Sequence, residues 1–442
     1  MNFVSTRNSD NKATFTKAVL NPMAQDGGLF VPDECEDLRR WILYADENTS
    51  FASLAGSLTS AMINKEYSPI ICETIASKAF KTDPVLKQLD DKLFILELYH
   101  GPTGTFKDFG VSYLTSALET IAQYNGEKAI LLDVTTGELG ACMANAIRDK
   151  KHIKSVLVAP KGKFRGLTEE DFVWNGGNIF PVEVEGTEQD CRNLVRKIFS
   201  QKSLVEKYNL TVANTANIGR LLPQSFFYTY AFAHLRKIVS GDIYYALSAG
   251  NYGNLVSGLY AWKLSLPVNG FIVPATSNLQ CNAKGQCMVL DSVVPVEKRT
   301  VCDPCDPSNI ERLEQIFKAN ALMLHSFVFP STVTRALKEE ACKELFVKYH
   351  IYADSDTSSA YAASLLQKKL ITQDDGTVVL IARDSPCLDS DFICHNIGEK
   401  PEVTANVKNA FSPVELYRKS ISPDDTEALI SVLNSINLLR IF

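Results

Sequence analysis

The sequence has no dominant charge of one sign: 45 lysines and arginines stand against 51 acidic residues, a net charge of −6. That balance offers no support for a nucleic-acid partner or for a charged membrane surface. No uninterrupted apolar run approaches the roughly 18 residues that a spanning helix needs. The opening MNFVSTRNSDNK also lacks the apolar centre of a secretory signal. The expectation is a cytoplasmic protein without a membrane partner. Both nucleotide motifs, G-x-G-x-x-G and G-x-x-x-x-G-K-[ST], are missing, as is the G-x-S-x-G elbow of serine hydrolases. The 6 histidines are isolated in sequence and none sits in an H-E-x-x-H helix, so no metal is expected. The 11 cysteines, from Cys35 to Cys394, are an odd number in a long chain and fit reduced thiols better than a disulfide framework. Among them Cys281, Cys287, Cys302 and Cys305 contain one C-x-x-C pair without a matching second pair, which reads as loop and core thiols rather than a zinc site.

What is present is enough apolar residue, 45% of 442, to bury a large core. That length predicts about two or three domains. The first ninety residues read mostly as helix, with apolar positions at helical spacing through Phe51 to Ile63 and Ile70 to Phe80. Asp26-Gly27-Gly28 marks a tight turn into an extended segment. From Leu93 onward, short β-branched runs alternate with helical stretches. These runs are Leu93 to Leu98, Ala129 to Val134, Ser155 to Val158, Ile243 to Leu247, Phe271 to Val273 and Thr377 to Ile381. Such alternation predicts an α/β architecture of parallel sheets covered by helices, with ligands at the carboxyl ends of the strands.

Three loops at such ends carry chemistry. The first, His100 to Gly110, places Lys107 near a helix N-terminus, where the dipole and partial desolvation both disfavour the ammonium and leave an amine fit for imine formation. The second reads Gly250-Asn251-Tyr252-Gly253-Asn254 before an apolar helical segment. Its glycines let backbone N–H groups approach a dianionic phosphate at a helix N-terminus. The third, Thr135-Thr136-Gly137-Glu138-Leu139-Gly140, opens the segment from Ala141 to Asp149 and suits an anionic substrate group. Together, two anion cradles and one poised lysine indicate a small-molecule enzyme.

These loops, in this order, resemble those of threonine synthase, a family of fold-type II enzymes that use pyridoxal 5'-phosphate. The resemblance extends over most of the chain. It rests on Ser5-Thr6-Arg7, on Asp26 to Pro32, and on His100-Gly-Pro-Thr with Phe106-Lys107-Asp108-Phe109-Gly110. It continues through Pro160 to Lys163, Gly176 to Ile179, Asn214 to Leu222 and Gly250 to Asn254. It implies a tryptophan-synthase-β-like fold of two α/β domains and a mainly helical N-terminal domain. The expected division is 1–90 for the N-terminal domain, 91–126 with 216–442 for the large cofactor-binding domain, and 127–215 for the small domain. It also implies that Lys107 forms the Schiff base and acts as the base, and that Gly250, Asn251, Tyr252, Gly253 and Asn254 hold the cofactor phosphate. Thr135, Thr136 and Asn214 would bind substrate, with Lys163 and Arg220 paired to its anionic groups. The implied reaction converts O-phospho-L-homoserine and water to L-threonine and phosphate. No oligomeric state is specified.

Three stretches depart from the family pattern. Where the family has Ser-Gly-Asp-Thr-Gly, this chain has Thr136-Gly137-Glu138-Leu139-Gly140, with one hydroxyl fewer and a longer acid. Ser355-Asp356-Thr357 replaces a Glu-Pro-His segment, and Ala382-Arg383-Asp384-Ser385-Pro386 stands where the family carries Thr-Ala-His-Pro. Arg383 or Ser385 facing the cofactor's pyridine nitrogen would leave it unprotonated; Asp384 there would do the reverse. Two alternatives therefore remain beside the synthase: a phospho-lyase that releases a keto acid, and a catalytically silent cofactor-binding homologue.

Overall fold

The computed structural model describes residues 1–148, 150–167, 177–289, 295–416 and 419–438, so Asp149 and Gly176 of the segments named above lie outside it. Its main framework is a six-stranded sheet in the order Val328–Ser331, Gly270–Pro274, Ile243–Ala246, Thr377–Ala382, Leu93–Glu97 and Val85–Asp90. All neighbours are parallel except the last pair. The three central strands are buried along their whole length, which is why they read as continuous apolar runs rather than alternating ones. A second, four-stranded parallel sheet runs Ile179–Val184, Lys154–Pro160, Ile130–Val134 and Leu210–Thr211.

The N-terminal region adds a small antiparallel sheet of Lys12–Ala13, Phe3–Ser5 and Phe30–Pro32. The turn before its last strand needs Gly27 at φ 78°, and Asp26 Oδ1 ties it by accepting from Gly28 N at 2.9 Å and Ser5 Oγ at 2.7 Å. The helices Phe51–Ile63 and Pro69–Ala79 follow. Phe51 packs edge-on against Phe80 and Phe109, with centroids 4.8 and 5.3 Å away, and so fastens this region to the helix that begins at Lys107.

Two segments sit away from the expected division. Val85–Asp90 pairs with Leu93–Glu97 and belongs to the large sheet, because a tight turn returns it antiparallel along that edge. The C-terminal helix Thr426–Leu438 buries Leu429, Leu433 and Ile436 in the core of the small sheet, beside Val156, Val182 and Leu194. Ile421 meanwhile bridges to Val184. The suspected cysteine cluster is dispersed: Cys281 and Cys287 face each other in a hairpin, Cys302 donates to Glu311, and Cys305 donates to the Arg192 carbonyl. Among the described residues no helix is long and apolar enough to cross a membrane.

Candidate active site

The strand Leu93–Glu97 ends in a loop that the sequence folds upon itself. Asp108 accepts hydrogen bonds from the backbone N and the hydroxyl of Thr103, both at 2.9 Å, and Gly104 turns with φ 70°. The loop is then laced to the segment that follows Thr377–Ala382. Phe106 N donates to the Arg383 carbonyl at 2.8 Å, Ser385 N donates to the Gly104 carbonyl at 2.7 Å, and Thr105 bridges to Asp384. Helix begins at Lys107 itself, a turn earlier than the apolar pattern from Val111 suggests.

Lys107 is 32% exposed and forms an ion pair with Glu138, which stands in the first turn of the helix Glu138–Ile147. Burial pushes the Lys107 ammonium pKa down; Asp384 and Cys142 oppose this, while Arg220 and Arg383 reinforce it. Glu138 is held there by its own loop. Thr135 Oγ1 accepts from Gly137 N at 3.1 Å and from Gly140 N at 2.9 Å, pinning the helix start. Thr135 is thus buried and committed to the loop, while Thr136 is exposed beside it.

The turn after Ile243–Ala246 opens towards solvent at Gly250 and Asn251 and feeds the helix Gly253–Lys263. Its conformation is left-handed twice, at Gly250 (φ 46°) and at Tyr252 (φ 63°). Asn251 Oδ1 accepts from Gly253 N, its Nδ2 donates to Thr215 Oγ1 at 3.0 Å, and Asn254 Nδ2 donates to Gln224 Oε1 at 2.8 Å. The Tyr252 hydroxyl pairs with Thr276 Oγ1 at 2.7 Å.

Arg220 occupies the short helix Ile218–Leu221, started by Asn217. It is 3% exposed, its guanidinium lies 5.7 Å from the centre of the Phe106 ring, and Nη1 has no hydrogen-bond partner among the described residues. Burial lowers its pKa to about 10, against the pull of Cys142, Asp108 and Asp384. A buried cation left short of partners is costly, and an arriving anion removes that cost. Gly110 makes room for it: a Cβ there would fall 2.6 Å from the Arg220 carbonyl oxygen.

Of the residues singled out in the sequence, Arg220 lies over the Phe106 ring and acts electrostatically on Lys107, the residue that follows Phe106. The Gly250 turn approaches the same place through Arg383, whose Cζ lies 5.4 Å from that ring. Asn214 lies at the margin, its Nδ2 donating to the Pro304 carbonyl at 2.6 Å and its Oδ1 accepting from Ala216 N at 2.9 Å. Lys163 is exposed beyond Lys154–Pro160. Ser385 is buried with its hydroxyl 3.1 Å from Cys387 Sγ. Residues not singled out as site residues are there too. Glu138 pairs with Lys107, Cys142 Sγ lies 3.2 Å from Thr103 Oγ1, and Asp356 pairs with Arg383. The placement of Glu138 directly after a glycine at a helix start was a usable signal; Asp356 stood out only as part of a departure from the family pattern.

Comparison with known proteins bears on the family and the fold. A family model described as the threonine synthase N terminus matches residues 2–80. Threonine synthase of Buchnera aphidicola from Schizaphis graminum is 30% identical over 432 residues, 96% of this chain and 97% of that protein. The Haemophilus influenzae threonine synthase is 30% identical across 72% of this chain and 75% of its own length. The crystal structure of threonine synthase from Escherichia coli superposes with a TM-score of 0.75 at 23% identity, covering 98% of this chain and all of the other, 100%. The structure of pyridoxal-phosphate-bound threonine synthase from Brucella melitensis gives a TM-score of 0.78 at 19% identity, covering 98% and 99%. The fold is therefore that of the solved threonine synthases, a fold-type II architecture, and with near-complete coverage of a relative at 30% identity the chain belongs to the threonine synthase family.

Proposed function

We propose that this chain is a pyridoxal-phosphate-dependent threonine synthase, a carbon–oxygen lyase that converts O-phospho-L-homoserine and water to L-threonine and phosphate. The observation that carries this reading is Lys107, its ammonium disfavoured by burial, at the start of a helix beside a buried arginine with an unsatisfied Nη1. The residues fit the cofactor. Ser248 Oγ, Arg383 Nε and Asp384 Oδ1 are also buried without hydrogen-bond partners among the described residues, and all three lie in the loops that flank Lys107 and the Gly250 turn. Such a cluster of unmet polar atoms marks a site that a polar ligand completes. Gly250 to Asn254 would hold the phosphate at the N-terminus of Gly253–Lys263, and Lys107 would carry the covalent link.

When bound, the cofactor supplies an aldehyde for the lysine and substrate amines and a conjugated ring that draws electron density from the reacting carbons. The protein supplies the rest. Lys107, freed by the substrate amine, is neutral enough to take the Cα proton and to move protons at Cβ. Glu138 faces its Nζ and can hold the proton that the lysine releases. Arg220 binds the phosphate of the substrate and keeps it as it departs from Cγ, where an ammonium in its place would be a poorer bidentate partner. The helix start at Thr135 to Gly140 receives the remaining substrate anion. Thr136, Asn214 and Lys163 are proposed as further substrate contacts, the first and last of them exposed.

The test is to mix purified holoenzyme with O-phosphohomoserine and follow phosphate, threonine and 2-ketobutyrate together, with Lys107→Ala as control. Threonine equal to phosphate is expected. Phosphate accompanied by ketobutyrate would make the chain a phospho-lyase, and phosphate release unaffected by the loss of Lys107 would overturn the assignment of the lysine.

A further inference from the structure

Two of the departing stretches meet in the fold. Arg383 is the first residue beyond Thr377–Ala382, Asp356 stands in the first turn of the helix Ser355–Leu366, and their side chains form an ion pair. The arginine side chain is only 13% exposed. Its Cζ lies 5.4 Å from the centre of the Phe106 ring, and Nη1 lies 2.9 Å from where a Cβ on Gly250 would sit. Its Nε is buried and has no hydrogen-bond partner among the described residues. A guanidinium fixed by a carboxylate, an aromatic face and a turn, with an N–H to spare, is set to meet a ligand.

The strand order says which part of the ligand it meets. Thr377–Ala382 lies between Ile243–Ala246 and Leu93–Glu97 and runs parallel to both. The loop after the first of these neighbours carries Gly250 to Asn254, and the loop after the second carries Lys107. A flat ring joined to Lys107 and anchored by its phosphate at the turn must cross the end of the middle strand, where Arg383 stands.

Resting on the cofactor reading above, we infer that Arg383, clamped by Asp356, meets the cofactor's ring nitrogen and holds it unprotonated. Guanidinium has donors, no acceptor and no accessible neutral form, so it can donate to a nitrogen lone pair but repels a pyridinium. Asp384 would do the reverse. Its carboxylate, however, acts on Lys107 and Arg220, and its backbone is bridged to Thr105, on the lysine side of the site. Ser385 is engaged with Cys387. The charged and titratable groups that act on Arg383, or on which it acts, are Asp356 and Asp354 from the start of one helix, Tyr228 from another, and Lys107. With the ring neutral, its electron-withdrawing power is reduced, and proton transfer by Lys107 carries more of the reaction.

The experiment is NMR of holoenzyme reconstituted with cofactor carrying a heavy nitrogen isotope in its ring, read across the neutral pH range. The wild-type protein is expected to show an unprotonated pyridine throughout. Arg383→Ala should make that nitrogen titrate within the range, and Arg383→Lys, which keeps a donor-only cation, should return it towards the unprotonated position. A pyridinium resonance in the wild-type protein overturns the inference whether or not either variant folds, and would assign the nitrogen to Asp384. Borohydride reduction and mass spectrometry of the Lys107 peptide are done first. A failure to find cofactor on Lys107 would overturn the cofactor reading itself, and this inference with it, which separates the two failures.

Discussion

Replacing Glu138 with glutamine removes the negative partner of Lys107 and nearly preserves its shape. Two unit charges about 4 Å apart attract by about 1 kcal/mol in water and about 4 kcal/mol at the effective dielectric of a protein surface. Because Lys107 and Glu138 are 32% and 40% exposed, solvent screening holds the pair near the lower of these. The expected worth is about 1 to 2 kcal/mol, or roughly one unit of lysine pKa. Burial already lowers that pKa. The paired Glu138 carboxylate favours the ammonium, so its loss lowers the pKa further. The assay is uptake of pyridoxal phosphate by the cofactor-free protein as a function of pH, since only the neutral amine forms the imine. In Glu138→Gln the rate profile should move to lower pH by about one unit, with capture about tenfold faster on the acid side. A superimposable profile, or one moved to higher pH, would refute the claim that Glu138 sets the proton affinity of Lys107.

Other consequences are equally direct. Arg220→Met removes a charge-assisted contact worth about 1.5 to 3 kcal/mol, so KM for O-phosphohomoserine should rise by about 10- to 100-fold. The same change should raise the Tm of the substrate-free protein, because a buried and under-partnered charge has gone; a lower Tm with KM unchanged would show a purely structural arginine. Asp133 is buried with both carboxylate oxygens near Ala213 N, at 3.0 and 2.9 Å, and burial raises its pKa to about 7. The folded state thus binds a proton that the unfolded chain has already lost. The stability this contributes is complete at low pH and disappears as pH rises through about 7. Asp133→Asn should flatten that decline, which amounts to about 3 kcal/mol between about pH 5 and about pH 8, in urea titrations at those two pH values. An unchanged slope would exclude Asp133 as its source.

The central strands were legible in the sequence because burial on both faces leaves uninterrupted β-branched runs, and each of the six expected runs overlaps a strand. Edge strands were not. Val328–Ser331 contains Pro330, tolerable only where the ladder ends, and Val85–Asp90 carries exposed Lys87 and Gln88. In the site, Lys107 and the Gly250 turn announce themselves locally, through a helix start and a pair of glycines ahead of an apolar helix. The pairs Lys107 with Glu138 and Arg383 with Asp356 join residues far apart in sequence, and only the assembled sheets bring them together. The expected place of Val85–Asp90 and of the last helix went astray for the same reason, since neither segment's own residues say which sheet it will join.

The attachment of Thr426–Leu438 to the small sheet has a further consequence for how the protein is made. The strands of that sheet emerge from the ribosome early, yet Leu429, Leu433 and Ile436, which close its core, are synthesised more than two hundred residues after Leu210–Thr211. Until then the apolar surface around Val156, Val182 and Leu194 is covered only in part, by the helix Glu188–Phe199 and its neighbours. The large sheet can be assembled while the small one waits. Completion of the small sheet's core is thus a late, long-range event, and a nascent chain stalled short of Ile421 keeps part of that surface open to aggregation and to chaperone capture.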